Sequence, residues 1–233
     1  MKKLKKENLT AVILCGGKGT RFNLGKKKEL KPLVKINGKS ILERIIKIYY
    51  KNGITNFLLL GGYKIESLKK KFFNFNTKFN IKVLDTGINT ETAGRLLLAK
   101  KYLNGKTFLM TYGDSLTNFD LKSAIKQKKE NNIVMSCYNY KVPYGILDYK
   151  KTKNNNLTLK KIKEKSFSSL INAGFYILDK KIFKFIKNKN ENFEKITLPK
   201  IVKSKYHVKL NKVSKWHPMD TLVDKKSMER FVK

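Results

Sequence analysis

Histidine is nearly missing from this sequence. His207 and His217 are the only two in 233 residues, too far apart for a close-spaced pair. Cysteine is equally scarce: Cys15 and Cys137 each sit in an apolar run of strand character. With no Cys/His cluster there is no zinc motif, and two isolated thiols make no disulfide framework, so both are expected to be buried and inert. No Ser/His/Asp or Cys/His constellation for nucleophilic catalysis is visible. Long apolar runs are also lacking, and none reaches the roughly 18 residues of a membrane span. The basic start is followed only by the apolar run Ala11 to Cys15, shorter than the roughly 7–15 residues of a secretory core. Leu14 stands where a lipoprotein site would want a small residue. The expected location is therefore the cytoplasm, away from any membrane.

Acidic residues and arginine are sparse as well. There are 17 Asp and Glu against 53 Lys and Arg, a formal net charge of +36, and the only arginines are Arg21, Arg44, Arg95 and Arg230. A charge of that size ordinarily points to nucleic acid or an anionic membrane. Here it is carried by lysine spread along the whole chain among many Asn and Ile, whereas proteins that read nucleic acid favour the planar fork of arginine. The excess reads as a compositional bias, and no specific nucleic-acid partner is expected. Against this background the few arginines and carboxylates become informative.

A length of 233 residues with 41% hydrophobic composition suits one domain of roughly 200–250 residues with a full core. Ala11 to Cys15 reads as a strand buried on both faces that opens into glycines. Ser40 to Tyr50 has helical spacing, with Ser40 and Glu43 as a capping box. Strands are expected at 57–60, 81–84, 107–111 and 133–138. Helices are expected at 65–73, from a cap at Thr90 to about Tyr102, and at 121–130. This alternation implies an α/β fold with a mainly parallel sheet and helices on both faces. After Tyr140 the pattern changes to short strands at 145–148, 157–162 and 172–178, then helices at 194–202 and 221–232. With no Pro/Gly-rich linker and no repeat, the chain reads as a single-domain, Rossmann-like unit over 1–233. A nucleotide-binding half spans about 10–140 and a second half about 141–233, with a mixed sheet.

The first strand ends in Gly16-Gly17-Lys18-Gly19-Thr20-Arg21. Glycines let backbone N–H groups approach a phosphate, and ligands of α/β sheets bind beyond the carboxyl ends of strands. A dinucleotide fingerprint would need glycine at Phe22, and a P-loop would need one at Leu33 ahead of Gly38-Lys39-Ser40, so neither fits. Alone, the glycines would serve a plain strand-to-helix turn. Lys31-Pro32 follows ten residues after Arg21. Asp114, in Thr111-Tyr-Gly-Asp-Ser115, comes directly after a strand, and Asp220 stands in Trp216-His-Pro-Met-Asp-Thr221. A carboxylate near phosphates calls for a divalent cation between them. Either aspartate could equally be a helix cap or a turn residue.

The strand, the Gly-Gly-x-Gly-Thr-Arg loop and a Lys-Pro about ten residues later resemble the signature of the sugar-phosphate nucleotidyltransferases. Five further stretches resemble the glucose-1-phosphate cytidylyltransferases, in the same order: Asp85-Thr-Gly87, Thr92-Ala-Gly-Arg-Leu96, Thr111-Tyr-Gly-Asp114, Ile171-Asn-Ala-Gly-Phe175 and Pro218-Met-Asp-Thr-Leu222. The resemblance runs from about Thr10 to Phe231. It implies a nucleotide-diphospho-sugar transferase fold and in-line attack of glucose 1-phosphate on CTP, giving CDP-glucose and pyrophosphate. Residue by residue, it implies that Gly16, Gly17, Gly19 and Thr20 cradle the nucleotide. Arg21 would lie on its phosphates, and Lys31 would stabilise the reacting triphosphate. Gly94 and Arg95 would lie beside base and ribose. Asp114 and Asp220 would hold Mg²⁺, Lys165 would grip the sugar phosphate, and Glu164 and Asn172 would contact the sugar. The implied partners are CTP and a sugar 1-phosphate. Related enzymes also form homo-oligomers. This chain departs from the family at Ala93, Ala173, Ser166 and His217, and in a shorter stretch before Asp85 and a shorter C-terminus. These departures bear on the sugar and the assembly more than on the reaction. The alternative within the class is another sugar-1-phosphate or small phosphorylated alcohol nucleotidyltransferase using CTP, UTP, dTTP or GTP, and a catalytically silent nucleotide-sugar-binding relative is the reading from another class.

Overall fold

The computed structural model describes residues 9–20, 29–73, 75, 78–142, 144–152, 154, 156–164 and 168–232. Arg21 and Lys165 lie outside the described residues. In chain order, β1 (Thr10–Leu14) leads to the short β2 (Lys35–Ile36) and β3 (Lys39–Ser40), then α1 (Ile41–Lys51), β4 (Asn56–Gly61), α2 (Ile65–Phe72) and β5 (Asn80–Asp85). Next come α3 (Thr92–Ala99), β6 (Thr107–Tyr112), β7 (Ser115–Thr117), α4 (Leu121–Gln127) and β8 (Asn132–Lys141). The second half adds β9 (Ile146–Lys151), β10 (Leu157–Lys163), β11 (Ser168–Asp179), α5 (Leu198–Val202), β12 (His207–Val213), β13 (Trp216–Pro218) and α6 (Leu222–Phe231).

Seven strands form one sheet in the order β12-β8-β11-β6-β1-β4-β5. β1 runs parallel to β4 and β6, β4 runs parallel to β5, and β12 runs parallel to β8; only β11 is antiparallel, to β6 and β8. The mixed, mainly parallel sheet expected from the sequence is therefore what forms. β1 is buried on both sides, as its unbroken apolar run requires. Ala11, Ile13 and Cys15 face a core shared with Ile45 of α1, Leu68 of α2, Ala124 of α4 and Met228 of α6. Val12 and Leu14 face a second core with Leu96 of α3 and Ile201 of α5. Chain order reverses at β1: β4 and β5 lie on one side and β6 on the other. That reversal is a topological switch point, where a crevice opens beyond the strand ends.

Local differences from the sequence reading have physical causes. Helix α3 begins at Thr92 with Glu91 at its N-cap and no side-chain cap, and the Thr90 hydroxyl donates back to the Thr86 carbonyl at 2.5 Å. The expected helix at 194–202 splits into a π-helical turn, Phe193–Thr197, and α5. Ser40 and Glu43 do form the capping box of α1. Both cysteines are buried and free. Among the described residues no helix is long and apolar enough to cross a membrane.

Candidate active site

A cleft of about 590 Å³ opens at the switch point, lined by the loop from Gly16 to Thr20, by Lys31 and Pro32, by Ile88 to Thr92, and by Tyr112, Asp114 and Asp220. The loop after β1 is anchored from behind. The Gly16 carbonyl accepts hydrogen bonds from the Tyr63 N–H at 3.2 Å and from Arg95 Nη2 at 3.1 Å. A Cβ on Gly16 would lie 2.1 Å from Arg95 Nη1, so the close approach of the guanidinium requires glycine there. Gly17, in contrast, has nothing within 4 Å of where a Cβ would stand, so its backbone faces open space in the cleft.

Three residues distant in sequence meet at the floor. Lys31 opens a 3₁₀ turn in which Pro32 holds the second position, within the first turn, where proline costs no hydrogen bond. Its side chain is only 10% exposed, and Nζ donates to Asp114 Oδ2 at 3.0 Å and to Asp220 Oδ1 at 2.7 Å. Asp114 follows β6 by two residues, and its carbonyl accepts from the Met219 N–H at 2.9 Å, tying the two aspartate segments together. Asp220 precedes α6 without capping it. Thr221 takes the cap, and Asp224 completes the box by accepting from the Asp220 and Thr221 N–H groups. The Asp220 carboxylate instead meets the Lys31 ammonium.

Gly94 and Arg95 sit differently at the cleft. Arg95 is 4% exposed. Its Nη1 donates to the carbonyls of Gly61 at 2.8 Å and Gly87 at 2.9 Å and to the Thr86 hydroxyl at 2.5 Å. With Gly16 it therefore ties together the carboxyl ends of β1, β4 and β5 while also lining the cleft. Burial depresses its pKa, partly offset by Glu91. Gly94 faces away from the cleft: a Cβ there would meet the Lys189 carbonyl oxygen at 2.2 Å. The start of α3 packs against the segment before the π-helical turn, where the Ala93 N–H donates to the Glu191 carbonyl at 3.0 Å. The wall on this side is the loop Ile88 to Thr92, together with Arg95.

The second-half residues lie further out. Glu164 is exposed at the end of β10, with Oε2 beside Gly145. Asn172, half-buried on β11, accepts at Oδ1 from the Gly174 N–H at 2.8 Å and donates from Nδ2 to the Tyr176 hydroxyl at 2.5 Å. Neither residue lines the cleft itself. Sequence reasoning missed what joins Asn172 to it: Glu194, on the π-helical turn, accepts hydrogen bonds at Oε1 from the Tyr176 hydroxyl at 3.2 Å and from the hydroxyl of Tyr112, a cleft residue. Burial first, and then the charge of Glu194, pushes both phenols well above the ordinary tyrosine range, so they stay protonated. The only sequence signal for this group is Glu194 itself, one of few carboxylates in a basic chain. Cys15 lies at the cleft wall with its thiol pushed far up by burial and by Asp114, so it is no nucleophile.

The model of the nucleotidyl transferase family matches residues 10–221. A probable glucose-1-phosphate cytidylyltransferase of Bacillus subtilis is 34% identical over 91% of this chain and 92% of its own length. The glucose-1-phosphate cytidylyltransferase of Salmonella typhimurium is 29% identical over 95% of each chain. Among solved structures, HddC from Yersinia pseudotuberculosis superposes with a TM-score of 0.74 at 25% identity, covering 97% of this chain and all of the other. With a cleft at the switch point, a glycine loop and a lysine held by two aspartates, matched from the first strand to the last helix cap, this chain belongs to the nucleotidyl transferase family.

Proposed function

We propose that the protein transfers the cytidylyl group of CTP to glucose 1-phosphate, forming CDP-glucose and releasing pyrophosphate. The observation that carries the chemistry is Lys31, bonded to Asp114 and Asp220 on the floor of a cleft whose wall is a glycine loop. The choice of base and sugar is supported by the similarity to the cytidylyltransferases over nearly their full lengths.

In the reaction a phosphate oxygen of the sugar phosphate attacks the α-phosphorus in line. The new P–O bond forms as the bond to the β-phosphate oxygen breaks, and pyrophosphate leaves with the electron pair. No protein nucleophile is needed, so the chain's task is positioning and charge neutralisation. Gly17, Gly19 and Thr20 present backbone to the nucleotide, and the buried Arg95 fixes that loop. Lys31 supplies a positive charge at the triphosphate. Arg21 on the phosphates and Lys165 on the sugar phosphate complete the set by their places in the sequence.

The two aspartates fit Mg²⁺. They are hard oxygen donors that already converge on one cation, the Lys31 ammonium. Magnesium characteristically takes one or two carboxylates and completes its shell with water and substrate phosphates. Bound there, it would neutralise charge developing on the phosphates. For base choice, cytosine carries an exocyclic amine where uracil and thymine carry an oxygen. Glu91, on the wall of the cleft, can only accept, so its carboxylate suits an amine and would face an oxygen unfavourably, at about 1–3 kcal/mol.

The test is a matrix of four nucleoside triphosphates against several sugar 1-phosphates, read by pyrophosphate release. CTP is expected to exceed UTP and dTTP by at least about tenfold in kcat/KM, which needs only about 1.4 kcal/mol. Equal rates with CTP and UTP would reject the cytidylyl assignment and leave the family chemistry standing. No release with any pair would leave a binding protein that kept the fold.

A further inference from the structure

A second recess, of about 570 Å³, opens at the far end of the sheet from the cleft. Topology puts it there. Asn131 precedes β8, Tyr206 precedes β12, and Lys180 follows the antiparallel β11, so these three lining residues share the end of the sheet at which β6 begins. Asp114 stands beyond the end at which β6 finishes. A strand of 6 residues, roughly 17–20 Å, lies between the two places.

Lysine is spread along this whole chain, so a group of lysines means little by number. What sets the recess apart is the counter-charge its lysines lack. Lys100, Lys180, Lys181 and Lys184 line it, and among the described residues no carboxylate does. Among those residues neither Lys100 nor Lys184 has an ion pair. Their ammonium groups are held over rings instead. Lys100 Nζ lies 5.8 Å from the centre of Phe183, and Lys184 Nζ lies 5.0 Å from that of Phe185 and 5.2 Å from that of Tyr206. A ring face attracts a cation without neutralising it. Lys180 donates to the Leu103 carbonyl, and Lys181 meets Glu130 only at 3.4 Å, in an exposed pair of the kind that contributes little. Lys31 in the cleft is the contrast, since two aspartates already answer its charge.

Tyr206 is an independent sign. It is 7% exposed, and its hydroxyl is buried with no hydrogen-bond partner. A buried hydroxyl left unpaired costs stability, and the hydroxyls of Tyr112 and Tyr176 avoid that cost through Glu194. An anion in the recess would draw Lys184 off the Tyr206 ring and give the O–H an acceptor.

We propose that this recess binds a compact diphosphate anion, with the chemistry of pyrophosphate. Like charges gathered on a concave wall focus a positive potential. Lysines act as point charges, without the planar fork by which arginine reads a carboxylate, so several of them suit an anion with much charge in a small volume. A diphosphate carries more charge than orthophosphate. A nucleotide base would find no platform, because Phe183 is 5% and Tyr206 7% exposed and an ammonium lies over each ring. The site lies outside the cleft and does not depend on the reaction assigned there.

The measurement is acetylation of individual lysines in the full chain, read by mass spectrometry while pyrophosphate is added at constant ionic strength. Lys100, Lys181 and Lys184 are expected to be protected together, with one half-saturation below about 1 mM, while Lys150 and Lys161, exposed on β9 and β10, react as before. Lys100→Ala/Lys184→Ala should raise the half-saturation read at Lys181 at least about tenfold. Tyr206→Phe should raise it severalfold. CDP and orthophosphate separate the sources of the charge, and both are expected to protect no better than pyrophosphate. Protection of the three lysines by CDP at lower concentration would make a base part of the ligand and overturn the compact anion. Orthophosphate as effective as pyrophosphate would overturn the diphosphate. The proposal also fails if the wild type shows no protection, if protection spreads evenly over exposed lysines as a diffuse ion atmosphere would, or if duplex DNA protects the same three more tightly. Should the lysine variant be folded and keep wild-type half-saturation, the anion lies elsewhere and the proposal fails. The wild-type pattern decides the matter without any variant.

Discussion

At the scale of the residue, the site turns on which polar groups already have partners. Asp114 and Asp220 share one buried ammonium. Removing either charge takes a carboxylate from the cation site while leaving a side chain of the same shape. Asp114→Asn and Asp220→Asn are each expected to lower kcat by roughly a hundredfold or more, several kcal/mol of transition-state stabilisation, with the thermal melt little changed. Near-wild-type turnover in either at saturating Mg²⁺ would strike that aspartate from the metal site. Arg95 is the opposite case, a charge enclosed by the carbonyls of Gly16, Gly61 and Gly87. Arg95→Met leaves those acceptors without their donor and is expected to cost on the order of 3–5 kcal/mol in urea unfolding. Gly16→Ala should lose nucleotide binding by pushing the same guanidinium aside, and wild-type affinity for CTP in that variant would refute the clamp. The sequence exposes both residues as members of a motif, yet composition and spacing cannot say that the arginine points inward, because that depends on carbonyls contributed by three other strand ends.

At the scale of the element, local rules were legible where partners lie close along the chain. The box of Ser40 and Glu43 is one turn long, and its residues identify it. Burial alone would raise the Glu43 pKa, but hydrogen bonds from Ser40 and the Lys71 ammonium outweigh it and hold the group below the ordinary carboxylate range. A group depressed on folding stabilises the protein above its unfolded pKa and loses that contribution as pH falls through the folded one. The wild-type melting temperature is therefore expected to fall as pH drops below the ordinary glutamate range, and less steeply in Glu43→Gln. Equal slopes in the two proteins would remove Glu43 from the account. Ser40→Ala should cost about 1 kcal/mol at neutral pH. The π-helical turn was not legible, and the partners of Glu194 on it, the hydroxyls of Tyr112 and Tyr176, lie on two sheet strands distant in sequence. That chain ends on Asn172 and fixes its amide. On the reading that Asn172 contacts the sugar, as the family resemblance implies, Glu194→Gln should raise KM for the sugar phosphate severalfold and have no further effect in an Asn172→Ala background. Additive losses in the double variant would mean that Glu194 acts on stability alone.

At the scale of the whole molecule, the net charge of +36 has no matching recognition surface in the proposed chemistry. Duplex DNA is expected to bind weakly and to be released as salt rises, as non-specific phosphate contacts are. Filter binding that finds tight, sequence-dependent association at physiological salt would overturn that expectation. The fold class was readable because alternation of apolar strands and amphipathic helices is a local pattern repeated many times. The sheet order was not, since the antiparallel insertion of β11 between β6 and β8 joins segments that no short-range signal connects. That insertion has a consequence for how the protein is made. β8 leaves the ribosome before its neighbour exists, because the strand that separates it from β6 is Ser168–Asp179. Until then the nascent chain can assemble β5, β4, β1 and β6, with β6 as an open edge able to pair with other chains. A ribosome-arrested chain ending before Ser168 is therefore expected to hold protease-resistant β1 to β6 while β8 remains cleavable. Release of the following strand should seal both at once.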